Sequence, residues 1–329
     1  MNLNRYLIMN SHLSFISIKK QIVLFFLLVI SMTASAFVED LNKIIAKDIP
    51  SIPNGSIIIK DIAYVKNAHE RQKLDLFLPP DAGEKIPLLV WFHGGGWEGG
   101  DKANCAFLQF VGQNYAVASV NYRLSQDAIF PAQICDCKSA IRWLRAHADE
   151  FGFDPEKIGV GGDSAGGHLV ALLGATGHTR IFDEGEYLEQ TSRVQVVCDF
   201  FGPTDFEHFD YEKTIFSDVK NSCFARLIGG DPNEMKFVLP MLSPRKFVTS
   251  THAPIIIIHG NKDDLVPLNQ SQMYLQTLAQ AGVESTLLVV DGAGHGFGGM
   301  NHWMEIGAFL SKHLKPDKQV GYTRTLLLP

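Results

Sequence analysis

The chain has 329 residues, 46% hydrophobic and 19% charged, with a formal net charge of −6 at pH 7. This is an ordinary globular composition with enough apolar residues for one large core. It carries no repeat or low-complexity tract, and an acidic balance without a Lys/Arg cluster gives no support to a nucleic-acid partner.

The chain opens on a targeting pattern. Lys19 and Lys20 precede the apolar run Ile22–Ile30, and Ala34-Ser35-Ala36 offers an A-x-A cleavage site. A secretory signal peptide is expected over residues 1–36, cleaved after Ala36 to leave Phe37 as the first mature residue. The alternative is a membrane anchor, for which the run is short, since a span needs about 20 apolar residues. The expectation is a secreted or periplasmic protein with no stable membrane anchor. Removing 1–36 takes away Arg5, Lys19 and Lys20 and no acid, so the mature chain is more acidic still.

Export places Cys105, Cys135, Cys137, Cys198 and Cys223 in an oxidising compartment. An odd number leaves at least one unpaired. Cys135 and Cys137 lie two apart in an expected helix and face different ways. Cys198 and Cys223 can pair across the stretch between them; free buried thiols are the other reading. A C-x-C without further ligands at suitable spacing is weak evidence for a metal.

Residues 37–56 read as a lead-in helix and loop. Ile57–Ile59 with Ala63–Val65, and then Leu74–Leu78 before Pro79-Pro80, suit a β-hairpin at a sheet edge. From there buried strands alternate with helices. The strands are Leu88–Phe92, Ala116–Val120, Lys157–Val160, Val194–Cys198, Pro254–Ile258 and Thr286–Val290. Helices are expected over 132–150, with Ile134, Ala140, Ile141 and Leu144 on one stripe, then from Leu169, over 269–281 and over 303–314. Strands apolar on both faces imply an α/β fold with a mostly parallel central sheet covered by helices on both sides. Residues 203–250 exceed an ordinary connection and read as a small insert over the carboxyl ends of the strands, where ligands bind. The expected division is a domain over 37–315 and a polar tail over 316–329.

Three loops at strand ends carry the chemistry. Gly162-Asp163-Ser164-Ala165-Gly166 is a G-x-S-x-G between a strand and a helix, the setting of a nucleophile elbow. The turn is tight enough that a side chain at either glycine would strike backbone, and it lifts the serine hydroxyl to a helix N-terminus, where developing negative charge is favoured. A glycine-rich turn opening an ordinary helix is the plainer reading. His93-Gly94-Gly95-Gly96-Trp97 follows the first buried strand, and its glycines can turn N–H groups toward an oxyanion. Gly95 and Gly96, with the N–H of Ala165, are the expected donors. A serine needs a base, and the base an orienting acid. His259-Gly260-Asn261-Lys262-Asp263-Asp264 follows one strand and Gly292-Ala293-Gly294-His295 another, giving the order Ser164, Asp263, His295. Asp264 is the alternative acid. A metal role for His259, Asp263 and His295 lacks the spacing of known ligand motifs.

On HGGGWEGGDK (93–102), GGDSAGGH (161–168), HGNKDDLVP (259–267) and GAGHGF (292–297), the chain resembles an α/β-hydrolase esterase. It is similar to the hormone-sensitive-lipase-like and acetyl- or feruloyl-esterase-like (BD-FAE-like) branch over roughly 57–314. The resemblance implies a Ser164–His295–Asp263 triad, an H-G-x-x-D-x-x-V-P placement of the acid at Asp263, a bracing role for Asp163, and no cofactor. It implies a short-chain or carbohydrate-linked ester as substrate. It departs from the lipase relatives in leaving little chain ahead of Ile57 for a helical cap, which predicts an open site. The alternatives are an amide hydrolase, either a peptidase or an aryl formamidase, and a non-catalytic binding protein on the same fold.

Overall fold

The apolar runs form the strands they predict, and their pairing places the loops. The structure is a computed structural model describing residues 52–80, 83, 85–210, 214, 218–296 and 302–315. The expected signal peptide, most of the lead-in segment and the tail lie outside the described residues.

Strand β1 (Ile57–Ala63) pairs antiparallel with β2 (Lys73–Leu78), giving the expected edge hairpin. The register of β1 shifts between Ile59 and Ile62. The remaining strands are β3 (Ile86–Phe92), β4 (Ala116–Val120), β5 (Phe153–Asp163), β6 (Val196–Phe200), β7 (Ile255–Gly260) and β8 (Ser285–Val290). They join one eight-stranded sheet in the order β1-β2-β4-β3-β5-β6-β7-β8. β2 and β4 are antiparallel; every pair from β4 through β8 is parallel. Parallel pairing requires crossovers, and these supply α1 (Ala132–Ala146), α2 (Ala148–Phe151), α3 (Ala165–Thr176), α4 (Cys223–Ile228), α5 (Leu239–Leu242) and α6 (Asn269–Gln280), while α7 (Trp303–Leu314) follows the last strand.

The alternation along β3 shows how both faces are covered. Leu88, Val90 and Phe92 pack into one cluster with Ile134, Ile141 and Leu144 of α1, Leu169–Leu173 of α3 and Leu278 of α6. Leu89 and Trp91 pack into the other with Phe107, Phe110, and Ile306, Leu310 and Leu314 of α7. Ile255–Ile258 of β7 are at most 2% exposed. Each such side chain contributes roughly 1.5–3 kcal/mol by leaving water.

The structure refines the sequence reading in four places. The helix expected over 132–150 breaks at His147, and Gly152, at φ 75°, closes the short turn after it. The elbow strand is longer than Lys157–Val160. The strand expected at Val194–Cys198 runs instead from Val196 to Phe200, which brings Phe201 to the site's rim. A 3-10 helix over Ala106–Gln113, between β3 and β4, has no strong capping signal in the sequence. All five cysteines are free and buried, so Cys198 and Cys223 are not bonded. Among the described residues no helix is long and apolar enough to cross a membrane.

Candidate active site

β5 ends at Asp163 and α3 begins at Ala165, so Ser164 alone makes the turn. Its backbone sits at φ 52° and ψ −116°, outside the regions a serine prefers. Such a conformation costs roughly 1–3 kcal/mol and persists only where its surroundings hold it. Here the Ser164 N–H donates to the Phe200 carbonyl at 2.8 Å, and the His168 N–H donates to the Ser164 carbonyl at 3.0 Å. The flanking glycines are required: a Cβ at Gly162 would lie 2.5 Å from the Gly166 carbonyl oxygen, and one at Gly166 would lie 2.0 Å from that of Phe92.

The loops after β7 and β8 meet this turn. The Ser164 hydroxyl lies 2.9 Å from His295 Nε2. His295 Nδ1 lies 2.8 Å from Asp263 Oδ2. Asp263 Oδ1 accepts the N–H groups of Leu265 and Val266, both at 2.9 Å. The Asp263 side chain is fully buried, whereas Asp264 is exposed. His259, also fully buried, stands 3.1 Å from Asp263 Oδ2. Its Nε2–H points to the Val266 carbonyl at 2.7 Å, and Nδ1 lies 2.7 Å from the Ser271 hydroxyl. Burial opposes ionisation of Asp263, yet the His259 and His295 imidazoles and the Val266 N–H together hold it well below the usual carboxylate range. Phe201 sets its ring edge-on to His295, with centroids 4.7 Å apart.

The glycine loop is fixed from behind. Arg71, in the loop before β2, donates to the Gly100 carbonyl and to His93 Nε2, both at 3.0 Å, and to Asn121 and Asp101 at 3.3 Å. Since Nε2 of His93 accepts, its proton is on Nδ1, which donates to the Gly94 carbonyl at 2.7 Å. Burial pushes the His93 pKa down to about 4, and the Arg71 charge works in the same direction. The Tyr122 hydroxyl donates to the His93 carbonyl at 2.8 Å. Asp163 Oδ1 accepts the Gly94 N–H, as a bracing role requires. Gly95 and Gly96 take φ values of 111° and 61°, open to glycine and strained for most residues. Among the described residues no hydrogen bond engages the N–H of Gly95, Gly96 or Ala165.

A pocket of about 300 Å³ opens on Ser164. Its walls include Trp97, Phe201, Pro203, Cys223, Phe224 and Val266. Pro203, Cys223 and Phe224 come from the 203–250 segment. The arrangement can abstract a proton from the serine, hold the imidazolium formed and present N–H groups to an anion. Among the described residues no group of three His, Cys, Asp or Glu could hold a metal ion. Sequence reasoning passed over Arg71, Phe201 and Phe224. Phe201 alone left a signal, standing at a strand's carboxyl end as the three chemical loops do.

The sequence model of the BD-FAE family matches residues 74–278. This chain belongs to the BD-FAE family. Esterase LipC of Mycobacterium tuberculosis is 32% identical over 233 residues, covering 69% of this chain and 57% of that protein. The chain spans about half the length of the curated relatives it matches. Among solved structures, a truncated form of carbohydrate esterase from gut microbiota superposes with a TM-score of 0.74 at 30% identity, over 80% of this chain and 98% of that one. A thermophilic esterase of Thermogutta terrifontis gives a TM-score of 0.63 at 25% identity, over 81% and 96%. The fold is thus the α/β-hydrolase fold that the resemblance implied. The BD-FAE match includes Ser164 and Asp263; His295 lies beyond its end.

Proposed function

We propose that this chain is an exported serine carboxylesterase acting on short-chain or carbohydrate-linked esters through an acyl-enzyme. The observation that carries the reading is the unbroken line from the Ser164 hydroxyl to His295 at 2.9 Å and from His295 to Asp263 at 2.8 Å, beside a pocket. Ser164 attacks the ester carbonyl as His295 takes its proton. Asp263 keeps the imidazole in the useful tautomer and stabilises its charged form. The N–H groups of Gly95, Gly96 and Ala165 receive the oxyanion; losing one such donor costs about a hundredfold or more in rate. His295 then protonates the leaving alcohol, and water repeats the sequence on the acyl-enzyme. The modest apolar pocket favours a small acyl group, and likeness to a carbohydrate esterase supports a sugar-borne alcohol. The signal-like pattern over 1–36 supports export, with 37–315 as the catalytic domain.

The test is hydrolysis of p-nitrophenyl esters of increasing chain length by residues 37–329, beside Ser164→Ala. A rate that peaks at acetate or butyrate and vanishes in the variant is expected, as is stoichiometric labelling by a serine-directed phosphonate. A folded protein that is labelled but cleaves only amides would overturn the ester reading. One neither labelled nor active would point to a binding role.

A further inference from the structure

His168 stands one helical turn beyond Ser164, is fully buried, and has no part in the proposed reaction. Its two ring nitrogens join different parts of the molecule. Nδ1 accepts the indole N–H of Trp97 at 3.1 Å. The proton is therefore on Nε2, which donates to the Leu242 carbonyl at 2.7 Å. Burial pushes the pKa of His168 down to about 4, so the ring stays neutral and keeps its acceptor.

Both partners bear on the site. Trp97 directly follows Gly95 and Gly96 and holds a φ of 59°, which a bulky residue adopts only under outside constraint. Leu242 ends α5, inside the 203–250 segment. Aromatic rings of that segment complete the joint: Phe206 lies 5.1 Å from His168, and Phe224, a pocket wall, lies 5.5 Å from Trp97.

We infer that His168 is a positioning residue, which fastens the Trp97 indole to the 203–250 segment and so sets where the Gly95 and Gly96 N–H groups stand relative to Ser164. The inference rests on the esterase reading above. The wall of the pocket and the loop that receives the oxyanion are then one unit. A shift of Leu242 is felt at Gly96.

Three variants of the full chain test this. His168→Leu keeps bulk and loses both hydrogen bonds. His168→Asn places an oxygen near the Nδ1 position, where it can take the indole N–H again. Trp97→Phe keeps a ring without the donor. Steady-state kinetics on p-nitrophenyl acetate are read beside the indole N–H signals in a proton–nitrogen correlation spectrum, with Trp97→Phe identifying the Trp97 signal. Trp97→Phe is expected to lose about tenfold in kcat, the size of one neutral hydrogen bond, and His168→Leu, which loses two, at least as much, with KM nearly unchanged. His168→Asn is expected to return the shifted indole signal toward its original position but to recover only part of the rate, because it does not reach the Leu242 carbonyl. If His168→Leu fails to fold, Trp97→Phe against the wild type carries the test. An active wild type with unchanged kcat in Trp97→Phe and His168→Leu would overturn the positioning role. A wild type inactive on every ester would overturn the esterase reading instead.

Discussion

Asp163 and Gly94 are joined by a hydrogen bond of 2.9 Å, from the glycine N–H to the carboxylate Oδ1. The residue before the candidate nucleophile therefore holds the first glycine of the candidate oxyanion loop. Burial pushes the Asp163 pKa up, and the Gly94 N–H pulls it back. Asp163→Ala removes this side-chain acceptor and is expected to lower kcat by about tenfold, the size of one hydrogen bond. Asp163→Asn keeps an acceptor oxygen and is expected to retain most activity. Equal kinetics for wild type and Asp163→Ala would refute the link.

The two neighbouring acids give a sharper contrast. Asp263 is buried against His295, while Asp264 is exposed. Asp263→Asn is expected to reduce kcat by about ten-thousandfold while leaving the fold intact. Asp264→Asn is expected to change it less than twofold. The pKa of Asp263 is depressed in the fold, so the stability it gives is present above about pH 3.9 and fades as pH falls below that. Asp263 thus stays ionised across ordinary assay pH, and the acid limb of the rate profile belongs to another group. The pH–rate profiles of wild type and Asp264→Asn are expected to coincide, which excludes Asp264 as the source of that limb.

Asp199 on β6 behaves oppositely. It is fully buried; Oδ1 accepts the Gly202 N–H at 2.9 Å, and Oδ2 has no hydrogen-bond partner among the described residues. Burial raises its pKa from 3.8 to about 7. The native state therefore binds more protons than the unfolded chain between those values, so this group's contribution to stability falls as pH rises from 4 to 7. Asp199→Asn has no such group. Its stability relative to wild type is expected to climb by about 4 kcal/mol over that range, at 1.36 kcal/mol per pKa unit. Urea unfolding at pH 4, 5.5 and 8 measures the difference; a constant difference would refute the assignment.

Outside the pocket's lining, α1 buries two cations on one acid. Lys138 and Arg142 are wholly buried, and Asp183 meets them at 2.8 and 3.2 Å. Removing one member of such a cluster strands charge without compensation and costs about 3–5 kcal/mol. Asp183→Asn is expected to lower Tm by about 10 °C while leaving kcat per folded molecule unchanged. Thermal unfolding and active-site titration with a phosphonate separate the two effects.

The sequence made the sheet legible because strands such as Leu88–Phe92 and Pro254–Ile258 are apolar on both faces, a pattern that solvent-facing structure does not produce. It made Ser164, Asp263 and His295 legible because each stands in a glycine-bearing loop just past such a strand. Contacts between distant parts of the chain were beyond its reach. The Trp97–His168 bond spans 71 positions and the His168–Leu242 bond 74. Neither depends on local propensity. The break at His147 has a similar cause: its ring stacks on Trp143 at 4.1 Å and its Nδ1 bonds the Trp143 carbonyl at 2.8 Å, a local competition hidden within a good helical pattern.

Arg71 sets a practical limit on how this protein is cut. A shortened gene starting at β2 would keep the parallel sheet, the glycine loop and all three residues of the Ser164–His295–Asp263 line. It would lose the guanidinium that ties His93, Gly100, Asp101 and Asn121 together. Such a fragment would keep the reactive groups and lack the clasp behind them. The smallest transplantable unit begins ahead of Arg71, where a side chain rather than a strand marks the border.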